Sequence, residues 1–144
     1  MPITSDDAIR ALLSESRIVA LVGISDSPLR PSNQVMAALQ EHGYRVYPVN
    51  PRITGEHIHG EYVWRELAQI GEAIDIVDVF RRAEAVDEVV DQAIAVRAKA
   101  VWMQLGIVNE VAAARAEAAG LIVVMDRCTK VELKRLDVAK MSDE

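Results

Sequence analysis

Residues 17–32 constrain the fold more than any other stretch, reading Arg-Ile-Val-Ala-Leu-Val-Gly-Ile-Ser-Asp-Ser-Pro-Leu-Arg-Pro-Ser. The apolar, partly β-branched run over residues 18–22 suits a strand buried on both faces, as in the interior of a parallel sheet. Gly23 permits a turn that a side chain would obstruct. Ser25, Ser27, Arg30 and Ser32 follow, just as a helical pattern opens at Pro31, a residue suited to a first helical turn. A strand, a glycine turn and a helix N-terminus make an anion site, because unpaired N–H groups and the helix dipole converge there. The stretch therefore reads as a phosphate cradle.

The rest of the chain alternates in the same way. Thr4 or Ser5 caps an initial helix whose apolar face holds Ile9, Leu12 and Leu13. Val35, Met36 and Leu39 form the buried stripe of the helix after Pro31, and Gly43 supplies its left-handed terminus. Further strands are expected over residues 44–49, 74–80, 100–105 and 121–125. Pro48 and Pro51 are expected to halt pairing at the end of the second strand. Residues 52–60 read as a polar loop carrying His57 and His59, without further ligands at a metal-binding spacing. Residues 62–70 read as extended chain passing into a short helix. Val86, Val89, Val90, Ala93 and Ile94 mark one later helix, Asn109 caps the next and Gly120 closes it. A last short helix runs through Val131, Leu133 and Leu136. Strands alternating with helices predict an α/β, Rossmann-like doubly wound parallel five-stranded sheet with helices on both faces and its ligand crevice at the strands' carboxyl ends. Residues 1–16 are expected as an N-terminal helix packing on the domain, 17–136 as the domain, and 137–144 as a C-terminal tail.

Bulk properties narrow the function. With 144 residues, 51% apolar and 26% charged, the chain suits one globular domain. A formal net charge of −6 argues against nucleic-acid or anionic-membrane binding. Cys128, the one cysteine, excludes an intramolecular disulfide. No apolar run has membrane-spanning length, and an N-terminus with Asp6, Asp7 and Glu15 lacks the signature of a secretory signal, so the expected location is cytoplasmic.

A nicotinamide or flavin dinucleotide fails on two counts. No G-x-G-x-x-G follows the first strand, and Asn50 stands where an acidic residue should hold the ribose. A Walker P-loop is absent too. The residues at the strand ends instead resemble the stand-alone CoA-binding proteins, whose domain is similar to the CoA-binding domain of the succinyl-CoA synthetase alpha subunit. The resemblance runs from Arg17 to Leu136. It is carried by Val22-Gly23-Ile24-Ser25 with Arg30-Pro31-Ser32, by Pro48-Val49-Asn50-Pro51 and by Asp75-Ile76-Val77-Asp78-Val79-Phe80-Arg81. Val101-Trp102-Met103-Gln104-Leu105-Gly106 and Val124-Met125-Asp126-Arg127-Cys128 complete it.

The resemblance implies that Gly23, Ser25, Asp26 and Ser27 line the CoA diphosphate region, with Arg30 and Ser32 adding contacts. Asn50, Pro51 and Arg52 border the adenosine end, and Arg52 is the candidate for the 3′-phosphate. Phe80 and Arg81 flank the nucleotide, while Gln104, Leu105 and Gly106 face the pantetheine arm. Phe80 also reads as plain core, and Asn50 with Pro51 as a simple strand terminus. The synthetase relatives phosphorylate a histidine in a second domain, and His42, His57 and His59 do not match that position. The expectation is a binding module for coenzyme A or an acyl-CoA, without catalysis of its own. The alternative is a nucleotide- or CoA-dependent redox or acyl-transfer enzyme using Cys128, set between Arg127 and a helix start. The sequence leaves open both a homo-oligomer and a protein partner.

Overall fold

A computed structural model of the chain describes residues 1–141. The elements run α1 (Asp6–Glu15), β1 (Ile18–Val22), α2 (Pro31–His42), β2 (Arg45–Val49), β3 (His57–Ile58), β4 (Glu61–Tyr62), β5 (Ile76–Val79), α3 (Val86–Ala95), β6 (Ala100–Met103), α4 (Glu110–Ala118), β7 (Ile122–Val124) and α5 (Thr129–Arg135). Five strands form a parallel sheet in the order β2-β1-β5-β6-β7. The chain begins near the middle, steps outward to β2, then crosses back to β5 and continues the other way. The order reverses between β1 and β5, and the carboxyl ends of those two strands bound the crevice of such a sheet.

Alternation along the strands sorts the side chains into two cores. Val19, Leu21, Val46, Ile76 and Trp102 face one side, packed with Ile9, Leu12 and Leu13 of α1, Met36 and Leu39 of α2, and Leu133 of α5. Ala20, Val22, Val77, Val79, Val101 and Met103 face the other, packed with Val86, Val89 and Val90 of α3 and Ala112 and Ala116 of α4. The small α4 residues let that helix lie close to the sheet. Trp102 is fully buried, and its Nε1–H donates to the Arg127 carbonyl at 2.7 Å, so burial leaves no polar group unmet.

Ser5 caps α1, its Oγ accepting from Ala8 N–H. The helix is then tied down by charge. Glu132, with a side chain only 5% exposed, accepts from Arg127 Nη1 at 2.9 Å and from Arg135 Nε at 2.8 Å, and Arg135 reaches on to Asp6. Arg135 leads the causes that hold the Glu132 carboxyl below its usual range, and burial works against it. The residues beyond α5 pack through Met141: Val138 is buried, and Met141 N–H donates to His42 O at 2.9 Å. The rest of the expected tail, residues 142–144, lies outside the described residues.

The expected polar loop at 52–60 is corrected by a hairpin. β3 and β4 pair antiparallel, turning at His59 and Gly60 with φ of +49° and +82°, as a two-residue hairpin loop requires. Strands of two residues are too short to leave an alternating pattern. The hairpin lays Val63 and Trp64 along the outer edge of β2, where Trp64 N–H donates to Pro48 O and Asn50 N–H to Trp64 O, both at 2.9 Å. Pro48 does not halt pairing either. It sits within β2, in register with Leu21, and lacks only a donor that the ladder omits there. At the opposite edge, Ile3 N–H donates to Val123 O of β7 at 2.9 Å.

Gly23 closes the centre of the sheet. Its N–H donates to Val49 O, and Phe80 N–H donates to Val22 O, drawing the three strand ends together. At φ +96°, a Cβ on Gly23 would stand 2.4 Å from the Phe80 carbonyl oxygen. That neighbour is backbone and cannot swing away. Gly23→Ala is expected to lower stability by about 3 kcal/mol or more, combining left-handed strain with overpacking, read as a lowered urea midpoint.

Candidate functional site

The β1–α2 connection is built from its own hydroxyls. Ser25 N–H donates to Ser32 Oγ at 3.0 Å, Ser27 N–H to Ser25 Oγ at 3.1 Å and Leu29 N–H to Ser27 Oγ at 3.3 Å. Each oxygen accepts a loop N–H and keeps its own O–H to donate. Asn33 Nδ2 ties Ser25 O at 2.9 Å, and His59 Nε2 lies 2.8 Å from Asn33 Oδ1, so the hairpin braces the same loop. Asn50 straps β2 to this loop: its Nδ2 donates to Ile24 O at 2.8 Å, and its Oδ1 accepts from Arg52 N–H at 2.9 Å.

An open cleft of about 1020 Å³ lies over the strand ends. Of the residues named from sequence, Gly23, Ser25, Asp26, Arg30, Ser32, Asn50, Arg52, Phe80, Arg81, Gln104, Leu105 and Gly106 line it. Ser27 and Pro51 do not: Ser27 turns its hydroxyl to the loop backbone, and Pro51 is exposed beside the cleft. Phe80 packs against the core and also lines the cleft. Arg82 also lines the wall, paired with Glu84 at 3.5 Å. Arg30, Arg52 and Arg81 have no ion-pair partner among the described residues. Val35, Ile53, Ile107 and Val131 line the cleft as well and were not singled out from sequence, since apolar periodicity does not tell core from cleft wall. Cys128 lines it too, half-buried at the cap of α5.

Behind the wall sits a polar cluster of which only Gln104 was given a site role from the sequence. Asp78, fully buried in β5, accepts from Gln104 Nε2 at 2.5 Å and from Thr129 Oγ1 at 3.0 Å, and Gln104 Nε2 also donates to Thr129 Oγ1 at 3.0 Å. Burial pushes the Asp78 carboxyl up to about 7, and the hydrogen bonds from Gln104 and Thr129 oppose that rise. An acidic residue inside an otherwise apolar run was the available signal. The loop beyond β6 is fixed from the next strand end, Gly106 N–H donating to Asp126 Oδ1 at 2.7 Å.

These features define a doubly wound α/β binding domain with a cation-rimmed cleft at its switch point. Residues 17–134 match the model of the CoA binding domain, and the chain belongs to that family. It is 40% identical over 123 residues to the uncharacterized protein YneT of Bacillus subtilis (strain 168), covering 85% of this chain and 90% of that protein. The structure of cell-free ID.343 from Thermus thermophilus is similar at TM-score 0.89 and 41% identity, over 92% of this chain and 99% of that one. The fold is also shared with the dinucleotide-forming acetyl-coenzyme A synthetase 1 of Ca. Korarchaeum cryptofilum, at TM-score 0.68 and 22% identity over 80% of this chain and 27% of that one. Among the described residues, no helix is long and apolar enough to cross a membrane.

The Asp78 carboxyl gives a pH test. Its folded value of about 7 stands above the 3.8 of an ordinary aspartate, so between those points the folded state holds a proton that the unfolded state has lost. This group's contribution to stability therefore falls as pH rises from about 4 to about 7, by up to ~1.4 kcal/mol per pH unit, and is flat above. Urea unfolding across that range should show the decline in the wild type relative to Asp78→Asn.

Proposed function

We propose that this chain binds coenzyme A or an acyl-CoA at the carboxyl edge of its sheet, without chemistry of its own. One observation carries the reading: three guanidinium groups without ion-pair partners among the described residues, Arg30, Arg52 and Arg81, line one cleft with Ser25 and Ser32 in a chain of net charge −6. Guanidinium groups match phosphate oxygens in geometry and charge. In this reading the diphosphate rests on the β1–α2 loop, with Arg30 beside it and Arg52 taking the 3′-phosphate. Phe80 and Arg81 flank the nucleotide, and the pantetheine arm runs along Gln104, Leu105 and Gly106. Ser27 and Pro51 support the loops without touching ligand. Asp26 is exposed at the cleft, and in this reading its carboxylate faces solvent.

Membership of the CoA binding domain family supports the choice of ligand, and the volume of the cleft accommodates it. The location is cytoplasmic in this reading. A second reading keeps one specific observation in its favour: Cys128 lines the same cleft at a helix start. A redox or acyl-transfer enzyme built on that thiol requires turnover that Cys128→Ser abolishes.

Calorimetry with CoA, NAD and ATP distinguishes the ligands. CoA is expected to bind tightest, and Arg30→Ala or Arg52→Ala to weaken it about tenfold or more, as loss of a charge-assisted hydrogen bond implies. Tight binding of NAD with none of CoA overturns the proposal.

A further inference from the structure

The buried cluster behind the cleft has an outward side. Asp78, Gln104 and Thr129 are 0%, 3% and 1% exposed. Gln104 Nε2 is the atom that stands 2.5 Å from Asp78 Oδ1, and above about pH 7 the ionised carboxylate only accepts, which holds the amide nitrogen there. One N–H goes to Asp78 Oδ1 and the other to Thr129 Oγ1, whose own O–H returns to Asp78 Oδ2. The ring of bonds is closed, and both amide hydrogens are used inside it. The amide oxygen therefore points the other way.

Oε1 of Gln104 takes no hydrogen bond among the described residues. Yet no buried side-chain nitrogen or oxygen among those residues lacks a partner, so this atom keeps solvent contact. Gln104 is 3% exposed and lines the cleft, so the cleft is where the contact of Oε1 with solvent falls. Leu105, Ile107 and Val131 line the cleft as well and give it an apolar surface there. A fixed acceptor in such a wall discriminates sharply. A carbonyl or ether oxygen placed against it brings two acceptors together, and a methylene leaves the amide oxygen desolvated and unpaired.

We propose that Gln104 is a specificity-determining residue of the cleft: its carbonyl, held outward by Asp78 and Thr129 as positioning residues, selects ligands that carry an N–H donor within an apolar segment, the chemistry of a secondary amide. The inference rests on the CoA reading and deepens it. Gln104 reads the amide-bearing arm, whereas the arginines read phosphate.

The test uses two probes at pH 8, where Asp78 is ionised: coenzyme A, and 3′-phosphoadenosine 5′-diphosphate, which keeps the nucleotide and lacks the arm. Gln104→Met is expected to weaken CoA about three- to tenfold, the loss of one hydrogen bond, and to leave the nucleotide probe unchanged. Thr129→Val should shift the ratio the same way, and Thr129→Ser should restore it, a rescue that a packing role does not predict. Should Gln104→Met fail to fold, Asp78→Leu combined with Gln104→Met removes both buried partners together and should give the same loss. An unchanged ratio of the two affinities in a folded variant, or equal weakening of both probes, overturns the inference and leaves the CoA site standing. Failure of the wild type to bind either probe overturns the CoA reading itself, and this inference with it.

Discussion

The contact on which the site depends is backbone against backbone. Gly23 lies so close to the Phe80 carbonyl that only hydrogen fits between them. That approach keeps β1 and β5 paired up to the point where their chains part, and it sets the separation of the two cleft walls that follow. The hydroxyl loop departs from one side and the Phe80–Arg81 wall from the other. Any widening there would move the walls that carry Arg30 and Arg81 apart, and cations bind one polyanion together only at a matching spacing.

Much of this was legible in the sequence because it rests on local chemistry. Continuous apolar strands announce a sheet covered on both faces, and the helix stripes at Ile9, Leu12 and Leu13 or Val86, Val89 and Val90 are buried as their spacing requires. The caps at Ser5 and Asn109 and the left-handed Gly43 were equally readable. Strand ends were placed too generously, since apolar residues continue past the last ladder bond. The β3–β4 hairpin escaped notice because its order comes from pairing with the edge of β2, a contact remote in sequence.

The site was legible as a set of loops and much less so as a set of atoms. Position at a strand's carboxyl end predicted the cleft lining well, since topology alone brings those loops together. It could not tell Ser25, which lines the cleft, from Ser27, which holds up the loop behind it. Gln104 was named from the sequence through the resemblance, but its partners lie 26 and 25 residues away. A buried carboxyl such as Asp78 becomes interpretable only when the groups that satisfy it are seen. The same holds for Glu132, whose burial makes sense through Arg127 and Arg135.

The treatment of the two sheet margins has a consequence for how copies of this molecule can meet. Trp64 occupies the hydrogen-bonding side of β2, and Ile3 takes up an outward carbonyl of β7. Each rim is thus blunted at one point, at Pro48 and Asn50 on one side and at Val123 on the other. Strand-to-strand joining of two copies at either margin would first have to displace Trp64 or Ile3 from the bonds they already make.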